Sequence, residues 1–209
     1  MNAVSNAACR LTGIDVNEPM LNLARRIQGI EWHLGSVARM PFADAGFDVV
    51  LCQQGLQYFP DRPAAMREMA RVLAPGGRIS LNVWGPMHRN PFQNTMAEVL
   101  GEVVGAEAVA PFRLAFSLNT AAELRRLAAD AGLHGIAIRF AHRTARHPNL
   151  SEWIGGFLQA SPLAARFLAE PEHRRADIVG RIAARLEDCV DDAGAAVAQE
   201  NHFLLATRP

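Results

Sequence analysis

The sequence predicts an α/β fold built on a parallel sheet with helices on both faces. Apolar strand-like runs alternate with helical patterns up to residue 84, the mark of parallel strands joined by helical crossovers. FDVVLC (47–52) is continuously apolar and bounded by Gly46 and a polar pair, as in a strand buried on both faces. Pro75-Gly76-Gly77 then separates a helical pattern from the apolar run RISLNVW (78–84).

CRLTGI (9–14) reads as a short strand. Asn17 can cap the helix that follows, with Glu18 and Pro19 in its first turn. The apolar stripe of that helix is Met20, Leu21, Ala24 and Ile27, and Arg25 and Arg26 suit its last turn. IEWHL (30–34) is a second strand. Asp61 caps a helix with Pro63 near its start and Met66, Met69, Val72 and Leu73 on its buried side. Asn90-Pro91 opens a helix to about Val104, followed by a Pro/Phe-rich link through Ser117. Thr120 and Glu123 form a capping box for a helix that Gly132 ends. GIAIRFAHRTARH (135–147) sets Ile136, Ile138 and Phe140 against Arg139 and Arg143, a half-exposed strand. Residues 151–190 are helical, split near Pro162 and Pro171, and DDAG (191–194) turns into the last strand, ENHFLLATR.

Composition excludes several classes. The 209 residues suffice for one sizeable core, or a core plus a small cap. Lys plus Arg and Asp plus Glu both number 21, for zero formal charge, which disfavours a nucleic-acid binder. No apolar run reaches the ~20 residues of a membrane span, and MNAVSNAACR has no signal-peptide pattern. Cys9, Cys52 and Cys189 are far apart and suggest neither a disulfide framework nor a zinc site. A cytoplasmic protein without a metal site is expected, with no membrane or nucleic-acid partner.

Four stretches, in order, resemble the class I S-adenosylmethionine-dependent methyltransferases, in particular the small-molecule group of the ubiquinone and menaquinone methyltransferases. They are GIDVNEPMLNLAR, MPFADAGFDVVLCQQGLQYFPD, MREMARVLAPGGRISLNVW, and FSLNTAAELRRLAADAGL with GIAIRF. They span residues 10 to about 145. The resemblance implies a Rossmann-like methyltransferase sheet whose first strand is missing, with a helical cap insertion. It implies one domain over 1–209, incomplete at its N-terminus, with cap segments at about 86–117 and 148–190.

The same resemblance assigns roles to residues. Asp15, at a strand tip, would accept hydrogen bonds from both ribose hydroxyls of S-adenosylmethionine, or would simply begin the helix. Val16 and Met20 would pack on the adenine, although Met20 equally suits a helix core. Ser36 and Val37 stand where the family presents an acidic residue to the adenine; a serine hydroxyl lacks the charge assistance. Cys52 and Gln53 would lie near the methionine amino group, at the C-terminal edge where such sheets bind ligands. Gln54, Gln57 and Tyr58 would face substrate or cofactor, or form a solvated loop.

The glycine-rich turn that should precede Asp15 by about 20 residues is replaced by MNAVSNAACRLTGID. Residues 2–8 resemble the tail of the helix after that turn. The absent strand belongs mid-sheet, so its loss leaves two unpaired edges. Three explanations stand: a fragment of a longer chain, which the mostly intact remaining motifs favour; a decayed relative; or a strand supplied by a partner, such as a second copy.

No catalytic residue is assigned. Methyl transfer needs in-line positioning, and a base only if the acceptor must lose a proton. His88 is a candidate base or a loop residue; His33, His142, His147 and His202 show no ligand spacing. Phe92, Met96, Phe112, Phe116, Trp153 and Phe157 suggest a small hydrophobic or aromatic acceptor, or a buried core. The functional expectation is therefore a small-molecule methyltransferase, the alternative a non-catalytic homologue that acts as a binding or partner subunit.

Overall fold

A computed structural model describes residues 9–161 and 163–209, and within them the strands form two separate sheets. The helix tail expected at residues 2–8 lies outside the described residues. The elements run β1 (Leu11–Asp15), α1 (Glu18–Ala24), β2 (Ile30–Leu34), β3 (Phe47–Gln53), α2 (Arg62–Val72), β4 (Leu73–Trp84) and α3 (Pro91–Val104). There follow α4 (Ala110–Leu114), α5 (Ala121–Asp130), β5 (His134–His147), α6 (Leu150–Ala160), α7 (Ala164–Ala169), α8 (Glu172–Ala184), β6 (Val190–Asp191) and β7 (Gly194–Thr207).

β1 and β2 pair in parallel as a two-stranded ribbon. The larger sheet has the order β3-β4-β7-β5, with β6 on β7. β3 and β4 are parallel, and β7 runs antiparallel to both β4 and β5. The sheet is therefore mixed, and its α/β architecture is the expected one. Among the described residues no ladder joins β1 to β3. Each keeps one edge without a backbone partner, where the sequence placed its missing strand.

Two apolar clusters organise the rest. One lies between the larger sheet and α2 and α5, with Met66, Met69, Ile79, Leu81, Val83, Leu124 and Leu204 buried. The other gathers Phe92, Met96, Phe112, Ile154, Leu158, Ile178 and Ile182 from the segments expected to form a cap. On the opposite face of the larger sheet, Leu51, Ser80 and Leu205 form one row across β3, β4 and β7. Leu51 is 67% exposed, and Val49 and Leu205 are also exposed.

Several boundaries move from their sequence positions. α1 ends at Ala24, so Arg25 caps it rather than sitting in its last turn. Only Leu21 of its apolar stripe is fully buried; Met20 and Ile27 face outward. α2 stops at Val72, and β4 begins at Leu73, before the glycine turn. Gly76 takes a left-handed φ of 76° inside that strand, and the β3–β4 register shifts there between Phe47 and Val49. The link before α5 contains α4, and β7 starts six residues ahead of the expected Glu200.

The ribbon is held to the larger sheet by the loop between β2 and β3. Arg71, on α2, donates from Nη1 to the Phe42 carbonyl (2.8 Å) and from Nη2 to the Met40 carbonyl (3.2 Å). It also pairs with Asp44 (2.6 Å) and, through Nε, with Glu68 (2.7 Å). Glu68 in turn accepts from the Met40 amide at 2.9 Å. Phe42 sits edge-on between His33 of β2 and Phe47 of β3, each centroid 5.1 Å away. On the ribbon itself, Trp32 lies over Gly13: a Cβ there would fall 2.2 Å from the indole ring.

The hydrogen bonds from Arg71, with the Met40 amide, hold the Glu68 carboxyl below its ordinary range, against some burial. Replacing Arg71 by Met is expected to cost about 2 kcal/mol, for a partly exposed network of charged hydrogen bonds, read as a lower urea midpoint. A lowered folded pKa stabilises above the unfolded carboxyl value of about 4.3, and that contribution is lost as pH falls through the folded value. The stability difference between wild type and Glu68→Gln should therefore be full at neutral pH and vanish in acid.

Candidate functional site

The C-terminal tips of β1 and β3 and the loop after β3 carry the residues singled out for a cofactor. Asp15 ends β1, and its Oδ1 accepts from the Asn17 amide at 2.8 Å. Asn17 itself caps α1, accepting from the Met20 amide at 3.0 Å. The capping work therefore falls to Asn17, as its side chain suits it to do. Asp15 Oδ2 makes no hydrogen bond among the described residues.

Val16 is 70% exposed and Met20 55% exposed, so Met20 is not a core residue. They follow Asp15 by one and five residues and present apolar surface at the start of α1. After β2, the Ser36 hydroxyl accepts from the Ala38 amide at 3.2 Å, a local turn. Val37 points the other way and packs on the first apolar cluster.

At the tip of β3, alternation sends Cys52 inward and Gln53 outward. Burial pushes the Cys52 thiol pKa up, against the opposing hydrogen bonds of the Leu56 and Gly55 amides. It therefore stays a thiol and is a poor nucleophile. Gln54 turns the chain with a φ of 52°, a conformation that costs a side-chain-bearing residue on the order of 1 kcal/mol. Its amide reaches the Asn82 carbonyl at 3.0 Å, and its Nε2 donates to Asn201 Oδ1 at 2.7 Å. Gln57 Nε2 then donates to Gln54 Oε1 at 2.8 Å.

This Asn201–Gln54–Gln57 chain ties Gln54 and Gln57 to β7 and to each other. Gln57 is 1% exposed and turned inward, and its Oε1 is buried without a partner. Of the three, Tyr58 is the one that faces out; partial burial raises its phenol pKa. His88 sits in a 3-10 turn after β4 and is exposed.

The sequence treated His142 and His202 as unrelated, and the structure corrects that. They line one cleft with His88 and Glu200. The available signal was Glu200-x-His202 on a strand, a spacing that puts both side chains on one face. Their partner strands could not be read from the chain order.

A family model described as "Methyltransferase domain" matches residues 1–81. A demethylmenaquinone methyltransferase of Deinococcus radiodurans is 32% identical over 158 residues, covering 69% of this chain and 64% of that protein. A Bacillus halodurans protein described as a methyltransferase superposes with a TM-score of 0.58 at 18% identity, over 95% of this chain and 82% of its own. Phosphoethanolamine N-methyltransferase 2 of Haemonchus contortus, solved with S-adenosyl-L-methionine, gives 0.55 at 18% identity, over 96% of this chain and 43% of its own. Over residues 1–81 the chain matches the methyltransferase-domain model, and its fold is that of the solved methyltransferases. The chain spans less than two thirds of the length of the Deinococcus relative.

The loop geometry carries its own expectation. Asn201→Ala removes the acceptor for Gln54 Nε2 and should cost about 1 kcal/mol. Hydrogen exchange should show the amides of residues 56–58 opening faster while those of α2 stay unchanged.

Proposed function

We propose that this protein is a methyltransferase that uses S-adenosylmethionine on a small hydrophobic or aromatic acceptor. The carrying observation is the strand tip at Asp15: a carboxylate with one oxygen unpartnered among the described residues, followed in the chain by two exposed apolar side chains, Val16 and Met20. That combination suits an adenosine, whose ribose offers hydroxyl donors and whose base offers a flat apolar face.

The residues present fit the adenosine half of the cofactor. Asp15 would hold the ribose, Val16 and Met20 would flank the adenine, and Ser36, already engaged by Ala38, would add little. The exposed Gln53 lies at the tip of β3, where the amino-acid end would come. When bound, the cofactor supplies a methyl group already activated on a sulfonium. What this chain supplies is orientation and exclusion of water, with Tyr58 at the open side of the tip. The demethylmenaquinone methyltransferase likeness supports a quinol-type acceptor.

The gap between β1 and β3 favours a second reading, a homologue without catalysis in this form. A strand parallel to both would pair with their free edges, supplied by a longer form of the chain or by a partner such as a second copy. The two readings separate by calorimetric titration of S-adenosylhomocysteine, with Asp15→Ala as control. The enzyme reading expects micromolar binding that weakens by roughly 10- to 100-fold in the variant, the loss of hydrogen bonds to a charged acceptor. Absence of binding to a folded, monodisperse protein would sink it for this chain.

A further inference from the structure

A buried carboxylate shared by two imidazoles lies on β7, at the other side of the strand from Asn201. Glu200 is 8% exposed, and its backbone is fixed from both directions. Its amide donates to Asn90 Oδ1 at 2.9 Å, and its carbonyl accepts from the Gly85 amide at 2.9 Å. Gly85 is required there: a Cβ would stand 2.7 Å from Glu200 Oε1. Asn90, wholly buried, also donates to the Pro86 carbonyl at 3.1 Å, so the loop after β4 is tied to the same strand.

The two carboxylate oxygens have different partners. His202 Nε2 lies 2.9 Å from Oε1, and that ring is buried with its Nδ1 unpartnered. His142 Nδ1 lies 3.6 Å from Oε2, with the side chain 69% exposed. An imidazole that turns one nitrogen to a carboxylate carries its proton there and leaves the other nitrogen bare. His142 Nδ1, at 3.6 Å, stands at ion-pair rather than hydrogen-bond distance from the carboxylate, and its Nε2 lies on the ring that opens to solvent. A carboxylate behind an exposed imidazole is the arrangement that steadies an imidazolium once a proton arrives.

The imidazole opens on a cleft of about 440 Å³, within the usual range for a small-molecule site. Phe140 forms an apolar wall, exposed on one side and set edge-on to His202 at 4.6 Å. His88 and Arg89, from the turn after β4, line the cleft as well. The ionisable groups that line the cleft are His88 and Arg89 from that turn, His142 from β5, and Glu200 and His202 from β7.

We propose that this cleft binds an aromatic molecule carrying an ionisable hydroxyl, and that His142, positioned by Glu200, accepts the hydroxyl proton. The O–H bond breaks, its electron pair stays on the oxygen, and the proton forms an N–H bond at His142 Nε2. The imidazolium is balanced by the Glu200 carboxylate, and the aryloxide faces Arg89 and His88. The ring packs on Phe140. As the acceptor site, the cleft rests on the methyltransferase reading. Gln54 and Asn201 connect it to the β3 tip, because Asn201 lies between Glu200 and His202 on the same strand.

The test uses 4-nitrophenol, whose phenolate is coloured, and 4-nitroanisole, which has no proton to give. Wild type should bind 4-nitrophenol with its ionisation shifted to lower pH, and should bind 4-nitroanisole about tenfold more weakly. Glu200→Gln and His142→Phe should each abolish the ionisation shift; His142 is exposed, so its variant tests the idea even if Glu200→Gln unfolds. Imidazole NMR titration should show the His142 signal moving with the bound phenol. Equal binding of the two probes, or an unchanged shift in His142→Phe, would overturn the proposal. S-adenosylhomocysteine binding, measured separately, is independent of these readouts, so failure of the cleft and failure of the cofactor reading are distinguishable.

Discussion

The Arg71 guanidinium holds the two sheets in one arrangement. Where β1 and β3 share no ladder, backbone hydrogen bonding does not set their distance. The loop from Met40 to Asp44 does, and that loop is held by Arg71, Glu68 and the ring of Phe42. Two side chains on α2 thus do part of what a central strand's ladder does elsewhere in an α/β sheet. A fork of five donors on a planar cation is suited to this, since it reaches two carbonyls and two carboxylates at once.

That arrangement decides what the candidate cofactor site can be. Asp15, Val16 and Met20 ride on the ribbon, whereas Gln53, Gln54 and Tyr58 ride on the larger sheet. The site is divided across the gap, so its preorganisation is no better than the loop that joins its halves, and loose halves lose affinity in ordering cost. The Glu200 cleft is different. Its carboxylate and both imidazoles beside it come from β5 and β7, which are laddered to each other, and the carboxylate is fixed through both of its backbone groups. Rigid strands hold side chains better than loops do.

Much of the fold was legible because it follows local rules. Asn17, Asp61 and Thr120 cap their helices as short polar side chains do, and FDVVLC forms a strand, although Val49 and Leu51 leave one face exposed where its continuous apolar run implied burial on both. What was not legible depends on partners distant in sequence. Met20 and Ile27 have the spacing of a core stripe, yet no element among the described residues covers them. Gln57 is polar and suits a ligand-facing or solvated loop, but it donates inward to Gln54, which is itself tied to Asn201, 147 residues away in sequence. The pairing of His142 with Glu200 requires the β5–β7 register, and a single sequence contains no statement of register.

Seven exposed apolar residues belong to the elements that border the gap. Val16, Met20, Leu23, Ile27 and Leu34 belong to the ribbon and its helix, and Val49 and Leu51 to β3. Fully covering a side chain of that size is worth about 1.5–3 kcal/mol, so an occupant of the gap that contacts even a few of them binds the folded state preferentially. By linkage it stabilises that state in proportion to its occupancy. The same occupant would fix β1 against β3 and assemble the divided cofactor site, so it and an adenosine ligand would each raise the other's affinity by the same factor. The free strand edges and the divided site are thus one physical problem, and the hydrogen bonds that would close the first are those that would align the second.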